Sequence, residues 1–141
     1  MRTDLTFTIV KPTAFKNNNF GLIMELINKN GFKLVAMKLT KMSEEKASEF
    51  YGALKEKPFF GSLLEYMTSG PIVVAVLQKE NAIADYRELI GATDPANAKF
   101  GTLRKMFATS KEANAVHGSD SDENAQIEMK LFFNEDELIF E

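Results

Sequence analysis

Ile72-Val73-Val74-Ala75-Val76-Leu77 is the longest apolar run in the chain, and its reading decides the fold. A β-branched-rich run without alternation predicts a central strand covered on both faces, and it is far shorter than the about 20 residues a membrane helix needs. Gly70-Pro71 separates it from what precedes. Upstream, Phe60, Leu63, Leu64 and Met67 fall at helical spacing, as do Ala47, Phe50, Tyr51 and Leu54, so the two sides of Pro58 predict a helical hairpin. Ser43 followed by Glu44 and Glu45 suits its start, where a hydroxyl caps free N–H groups and acids meet the positive end of the dipole.

Further upstream, Val35, Met37 and Leu39 alternate as a strand, and Phe20, Ile23, Met24 and Ile27 form the stripe of a helix closed at Gly31. Asn17-Asn18-Asn19 reads as a loop before that helix. Leu5 to Ile9 alternate as a first strand ending near Lys11-Pro12, because Pro cannot donate to a ladder. Downstream of the central run, Ile83, Tyr86, Arg87 and Ile90 mark a helix, and Gly91 to Gly101 has the composition of a surface loop. A short helix from Thr102 to about Phe107, a brief last strand at Asn114-Ala115-Val116-His117 and a helix capped by Ser121 and running through Phe132 complete the order. Strands interleaved with helices predict the α/β (α+β) class, best fitted by a ferredoxin-like βαββαβ sandwich: a four-stranded antiparallel sheet with helices on one face.

No repeat or linker divides the 141 residues, so one domain over 1–141 is expected. The net charge of −3 lacks the basic excess that drives nucleic-acid binding, although eight acids against Lys130 alone from Asp120 onward leave the first 119 residues mildly basic. Without cysteine there is no disulfide scaffold, thiol catalysis or thiolate metal site, and a single His excludes a multi-histidine centre. The start, Met1-Arg2-Thr3-Asp4, lacks the apolar core of a signal peptide, so cytoplasmic residence without membrane association is expected.

His117, between a strand and a helix start, is the one imidazole, suited to catalysis or simply a surface group that titrates. Arg87 lies on the stripe of its helix, where a guanidinium must find an anion, form a structural salt bridge or snorkel. Lys11 at a strand end and Arg104 near a helix start are two further cations, each ordinary when taken alone. Phe59, beside the core residue Phe60, faces outward as a stacking ring or packs as a loop aromatic, and Tyr51 needs a polar partner if buried. Neither a Walker loop nor a dinucleotide fingerprint occurs, so any phosphate must be held by side chains.

Taken together, these residues make the sequence closely resemble the nucleoside diphosphate kinases. The strongest match is Asn114-Ala115-Val116-His117-Gly118-Ser119-Asp120-Ser121, which looks like that family's signature around its active-site histidine. Val10-Lys11-Pro12, Lys57-Pro58-Phe59-Phe60, Gly91-Ala92-Thr93-Asp94-Pro95-Ala96 and Gly101-Thr102-Leu103-Arg104 match in order and spacing, over nearly the whole chain. The resemblance implies a ping-pong transfer in which His117 takes the γ-phosphate of a nucleoside triphosphate and passes it to a nucleoside diphosphate. It further implies that Lys11, Arg87 and Arg104 hold phosphates, with a hydroxyl from Thr93. Asn114 with Lys11 would hold the sugar, Phe59 would stack on the base with broad base tolerance, and Tyr51 would sit beside His117 and Lys11. Glu128 with Ser119 would orient the imidazole. Mg²⁺ would bridge the nucleotide's phosphates rather than occupy a protein cage.

Three positions depart from the family pattern: Thr13 and Met106 stand where acids are usual, and Phe100 where Pro is usual in a loop that contributes to subunit contacts. The resemblance implies a homo-oligomer, with dimer, tetramer and hexamer all open.

Overall fold

The computed structural model describes residues 2–141. Four strands, β1 (Leu5–Val10), β2 (Lys33–Lys41), β3 (Pro71–Gln78) and β4 (Val116–Gly118), form one sheet in the order β2-β3-β1-β4. All neighbours are antiparallel, with Phe7 opposite Val76 and Ile9 opposite both Val74 and His117. Among the described residues, seven α-helices accompany them: α1 (Pro12–Lys16), α2 (Phe20–Lys29), α3 (Glu44–Phe50), α4 (Phe60–Met67), α5 (Ala82–Ile90), α6 (Leu103–Phe107) and α7 (Asp122–Phe132). Among the described residues, no helix is long and apolar enough to cross a membrane.

The ferredoxin-like sheet is as expected, but helices cover both of its faces. Leu5, Phe7 and Ile9 of β1 join Ile72, Val74 and Val76 of β3 against Ala47, Leu63 and Met129, so α3, α4 and α7 pack on one side. Val73, Ala75 and Leu77 face the other way, onto Ile23, Ile27, Tyr86, Ile90 and Leu103 of α2, α5 and α6. A hairpin and a terminal helix each carry an apolar stripe, and the second sheet face is where those stripes escape water. Each fully buried Ile, Leu or Phe contributes about 1.5–3 kcal/mol.

Local differences from expectation have local causes. All six residues of β1 are buried, because Thr6 and Thr8 also lie under helices. Pro12–Lys16 is a short helix with Pro in its first turn, where the missing N–H costs nothing. In β2 only Val35 of the alternating set is buried; a bulge between Leu34 and Ala36 shifts the register, and Met37 and Leu39 are exposed on the sheet edge. β4 starts two residues later than expected, since Ala115 adopts φ 74° and its carbonyl accepts from the Lys11 amide at 2.9 Å. Arg87 does not face the core: the buried stripe of α5 is Ala82, Tyr86 and Ile90, and Arg87 points to solvent.

Candidate active site

The two central elements of the site are adjacent strand ends. β1 delivers Lys11 at its C-terminus, and β4, paired to β1, places His117 opposite Ile9. Thr8 on β1 donates its hydroxyl to the His117 carbonyl at 2.7 Å and sits 2.6 Å from the Tyr86 hydroxyl, which pins this backbone from the other sheet face.

The imidazole is held in its plane by one carboxylate. Nε2 of His117 lies 2.9 Å from Oε1 of Glu128, and the Ser119 hydroxyl donates to the same oxygen at 2.7 Å while accepting from the Phe7 amide at 3.1 Å. Both side chains are largely buried, at 20% and 15% exposure. A carboxylate only accepts, so Nε2 carries the proton and Nδ1 keeps its lone pair. Among the described residues Nδ1 has no hydrogen-bond partner.

Phe50 packs against the imidazole at 5.1 Å and 77°, and Phe7 lies at 6.2 Å and 58°. Sequence reasoning missed this wall, because Phe50 reads only as one more member of an apolar stripe. Tyr51 lies next to Phe50 in this wall. Its hydroxyl is buried without a hydrogen-bond partner, so it bonds to neither His117 nor Lys11, and its ring meets Phe50 at 4.8 Å. Burial, then the charge of Glu128, pushes the Tyr51 hydroxyl well above the usual phenol range.

Lys11 is buried and donates from Nζ to Oδ1 of Asn114 at 2.6 Å. Burial first, and the nearby Arg104 charge second, lower its pKa to about 7, with Glu112 acting weakly in the opposite sense. Arg104 is tightly engaged: its guanidinium donates to the carbonyls of Asn114 at 3.3 Å, Gly91 at 3.0 Å and Val116 at 3.0 Å. It thereby ties the 91–101 loop to the segment carrying His117. Arg87, Thr93 and Arg104 line one cavity of about 370 Å³ together with Lys99. Among the described residues Arg87 makes no hydrogen bond or ion pair, so its fork is free. Phe59 stands immediately before α4 and is 48% exposed.

Of the departing positions, Thr13 takes up the Tyr66 hydroxyl, which donates to its Oγ1 at 3.0 Å and accepts from its amide at 3.2 Å. Phe100 is 93% exposed and Met106 is exposed.

A half-buried imidazole with one free nitrogen, on the strand paired to the one that ends at Lys11 and accompanied by two arginines, defines a phosphoryl-transfer enzyme working through a histidine on a ferredoxin-like sheet. Comparison with known proteins narrows the class. A family profile described as nucleoside diphosphate kinase matches residues 4–138. Nucleoside diphosphate kinases of Chlorobium limicola and Rhizorhabdus wittichii are 51% and 52% identical, covering 95% and 99% of this chain and 96% and 99% of their own. The crystal structure of the Aquifex aeolicus nucleoside diphosphate kinase superposes with a TM-score of 0.94 at 42% identity, over 96% of this chain and 99% of that one. The Halobacterium salinarum enzyme in complex with CDP gives 0.94 at 34% identity, over 99% and 93%. The chain belongs to the nucleoside diphosphate kinase family. Its function is that family's ping-pong transfer of the γ-phosphate from a nucleoside triphosphate to a nucleoside diphosphate through a phosphohistidine.

Proposed function

We propose that the phosphohistidine forms at Nδ1 of His117, and that the bond from Nε2 to Glu128 is the observation that carries this reading. The Nδ1 lone pair attacks the γ-phosphorus as the Pγ–O bond breaks, its electron pair leaving with the departing nucleoside diphosphate. The Nε2 proton stays where it is, hydrogen-bonded to Glu128, so the positive charge that develops on the ring faces a carboxylate. In the second half-reaction a terminal phosphate oxygen of the acceptor diphosphate attacks the phosphorus and the N–P bond electrons return to Nδ1.

The remaining roles follow the chemistry of each side chain. Arg87 presents its free fork to phosphate oxygens, Arg104 offers the two N–H groups that its three carbonyl bonds leave over, Lys11 adds a point charge, and Thr93 donates a hydroxyl. Asn114 with Lys11 holds the sugar hydroxyls, Phe59 stacks on the base, and Ser119 with Glu128 orients the ring. Tyr51 sits beside His117 and Lys11, next to Phe50. Stacking without base-edge contacts predicts broad base tolerance.

Mg²⁺ would be held mainly by the nucleotide's phosphates rather than by the protein. Lys11, Arg87 and Arg104 suit phosphates and not a divalent ion, and among the described residues no group of three or more His, Asp or Glu could hold a metal. Held mainly by the nucleotide's phosphates, such an ion would supply charge neutralisation there. The chain acts as one domain over 1–141, in the cytoplasm, as a homo-oligomer whose partners are nucleoside di- and triphosphates rather than nucleic acid. The apolar edge residues Leu34, Met37 and Leu39, all exposed, support self-association.

Incubation with γ-³²P-labelled ATP and Mg²⁺, followed by removal of nucleotide, tests the reading. Acid-labile, base-stable label that chases onto GDP and is lost in His117→Ala is the expected result. Nucleotide binding without label would make the chain a nucleotide sensor.

A further inference from the structure

Two aromatic rings and one carboxylate meet His117 from three different elements, and a third ring braces the two. Phe50, the last residue of α3, is the closest ring, at 5.1 Å and 77°. Phe7 of β1 follows at 6.2 Å, and Phe132 of α7 backs both, stacked on Phe7 at 5.4 Å and 19° and edge-on to Phe50 at 6.1 Å and 65°. Glu128, on the same helix as Phe132, makes the in-plane bond. We propose that Phe50 is a positioning residue for phosphoryl transfer: its ring, braced by Phe7 and Phe132, restricts rotation of the His117 imidazole so that Nδ1 stays aimed at the γ-phosphate.

The physical need is specific. Rotation about the Cβ–Cγ bond of histidine has a broad energy well, so staggered preferences do little to hold the ring. One hydrogen bond at Nε2 opposes a full flip but tolerates libration of tens of degrees, because hydrogen bonds weaken steeply only below about 120°. Nδ1 lies off the rotation axis and sweeps sideways with each such libration. A tilted aromatic partner adds a second, non-collinear constraint, and edge-to-face geometry is the arrangement two rings prefer. The wall offers no hydrogen-bond partner, so it restrains the imidazole without competing for Nδ1. It also keeps water off that side of the ring. Misplacement of a reacting atom by about 1 Å is enough to cost roughly a hundredfold in rate.

This proposal rests on His117 as the nucleophile, and the test separates the two. Because His117 is the single histidine in the chain, imidazole ¹H and ¹⁵N resonances of the tag-free protein report on it alone. In the wild type, cross-relaxation between the imidazole and Phe50 ring protons is expected, with ¹⁵N shifts of a single Nε2–H tautomer at a pH where the ring is neutral. Phe50→Leu, which keeps apolar volume, should slow phosphoenzyme formation about tenfold with nucleotide affinity within about twofold, and should shift and broaden the imidazole signals. Phe50→Tyr, which keeps the ring, should restore both. Should Phe50→Leu not fold, Phe50→Met fills the space without a ring and takes its place. Absence of the Phe50 cross-relaxation in the wild type, or labelling of Phe50→Leu at the wild-type rate with unchanged imidazole signals, would overturn the proposal and leave His117 as the nucleophile. Failure of the wild type to take label would overturn the reading beneath it.

Discussion

Lys11 donates from Nζ to Oδ1 of Asn114 at 2.6 Å, joining the end of β1 to the residue that opens the histidine segment 103 positions later. The acceptor is neutral, so the bond satisfies the ammonium without neutralising it, and burial still disfavours its charge.

A proton is therefore expected to bind with the nucleotide. Lys11 is pulled from 10.5 to about 7, chiefly by burial. In the empty enzyme its charge is present below about pH 7 and lost above it, whereas the unfolded chain stays charged to about 10.4. Above pH 7 the unfolded state binds more protons, so the contribution of this group to folding stability rises with pH up to that limit, and its burial costs most below pH 7. Phosphate oxygens favour the ammonium and raise its pKa again. Calorimetry of nucleotide binding at pH 8 in buffers of different ionisation enthalpy should show uptake approaching about one proton, abolished in Lys11→Met. No uptake in the wild type would contradict this.

Glu128→Gln should fold normally yet slow phosphoenzyme formation. Oε1 accepts from both His117 and Ser119, and an amide can satisfy the geometry but not stabilise the charge that develops on the ring. A loss of about 10²-fold in the single-turnover rate is expected, with KM little changed; a wild-type rate would remove Glu128 from the mechanism.

The two arginines should separate by stability. Arg104 satisfies three backbone carbonyls, so Arg104→Ala should cost about 2–4 kcal/mol in urea unfolding as well as activity. Arg87 is exposed and free, so Arg87→Lys should stay within about 0.5 kcal/mol of the wild type while transfer slows, because a point charge cannot replace the fork. Equal destabilisation of both variants would show that Arg87 has a structural role.

Gly91→Ala should damage the site from a distance. Gly91 has φ 86°, and a Cβ there would meet Thr102 Oγ1 at 2.6 Å and Cβ at 2.7 Å. Thr102 caps α6, and the Gly91 carbonyl anchors Arg104. A loss of about 2–4 kcal/mol with raised KM for nucleotide is expected from the strained backbone and the displaced cap; thermal denaturation and steady-state kinetics on the same preparation check both.

Much of this molecule is legible in its residues because the signals are local. The run Ile72–Leu77 becomes β3, buried on both faces, and Ser43 and Ser121 cap α3 and α7 with their hydroxyls. Phe59 is exposed and its neighbour Phe60 is partly buried, as the stripe requires. For Arg87 the reading went astray on helix geometry. Arg87 sits next in sequence to a buried Tyr86, but a helix turns about 100° per residue, and that rotation carries it out of the core.

By itself the sequence determined the class of fold, the helix starts and the set of residue types able to handle phosphate, since periodicity, capping and side-chain chemistry are properties of short segments. Tertiary structure alone decided that Glu128 reaches Nε2 and frees Nδ1, that Arg104 gives three of its N–H groups to carbonyls, and that Phe50 lies against the imidazole. Those outcomes depend on distances between β1, β4, α3, α6 and α7, which the packing of two helical layers on one sheet sets and no local pattern encodes.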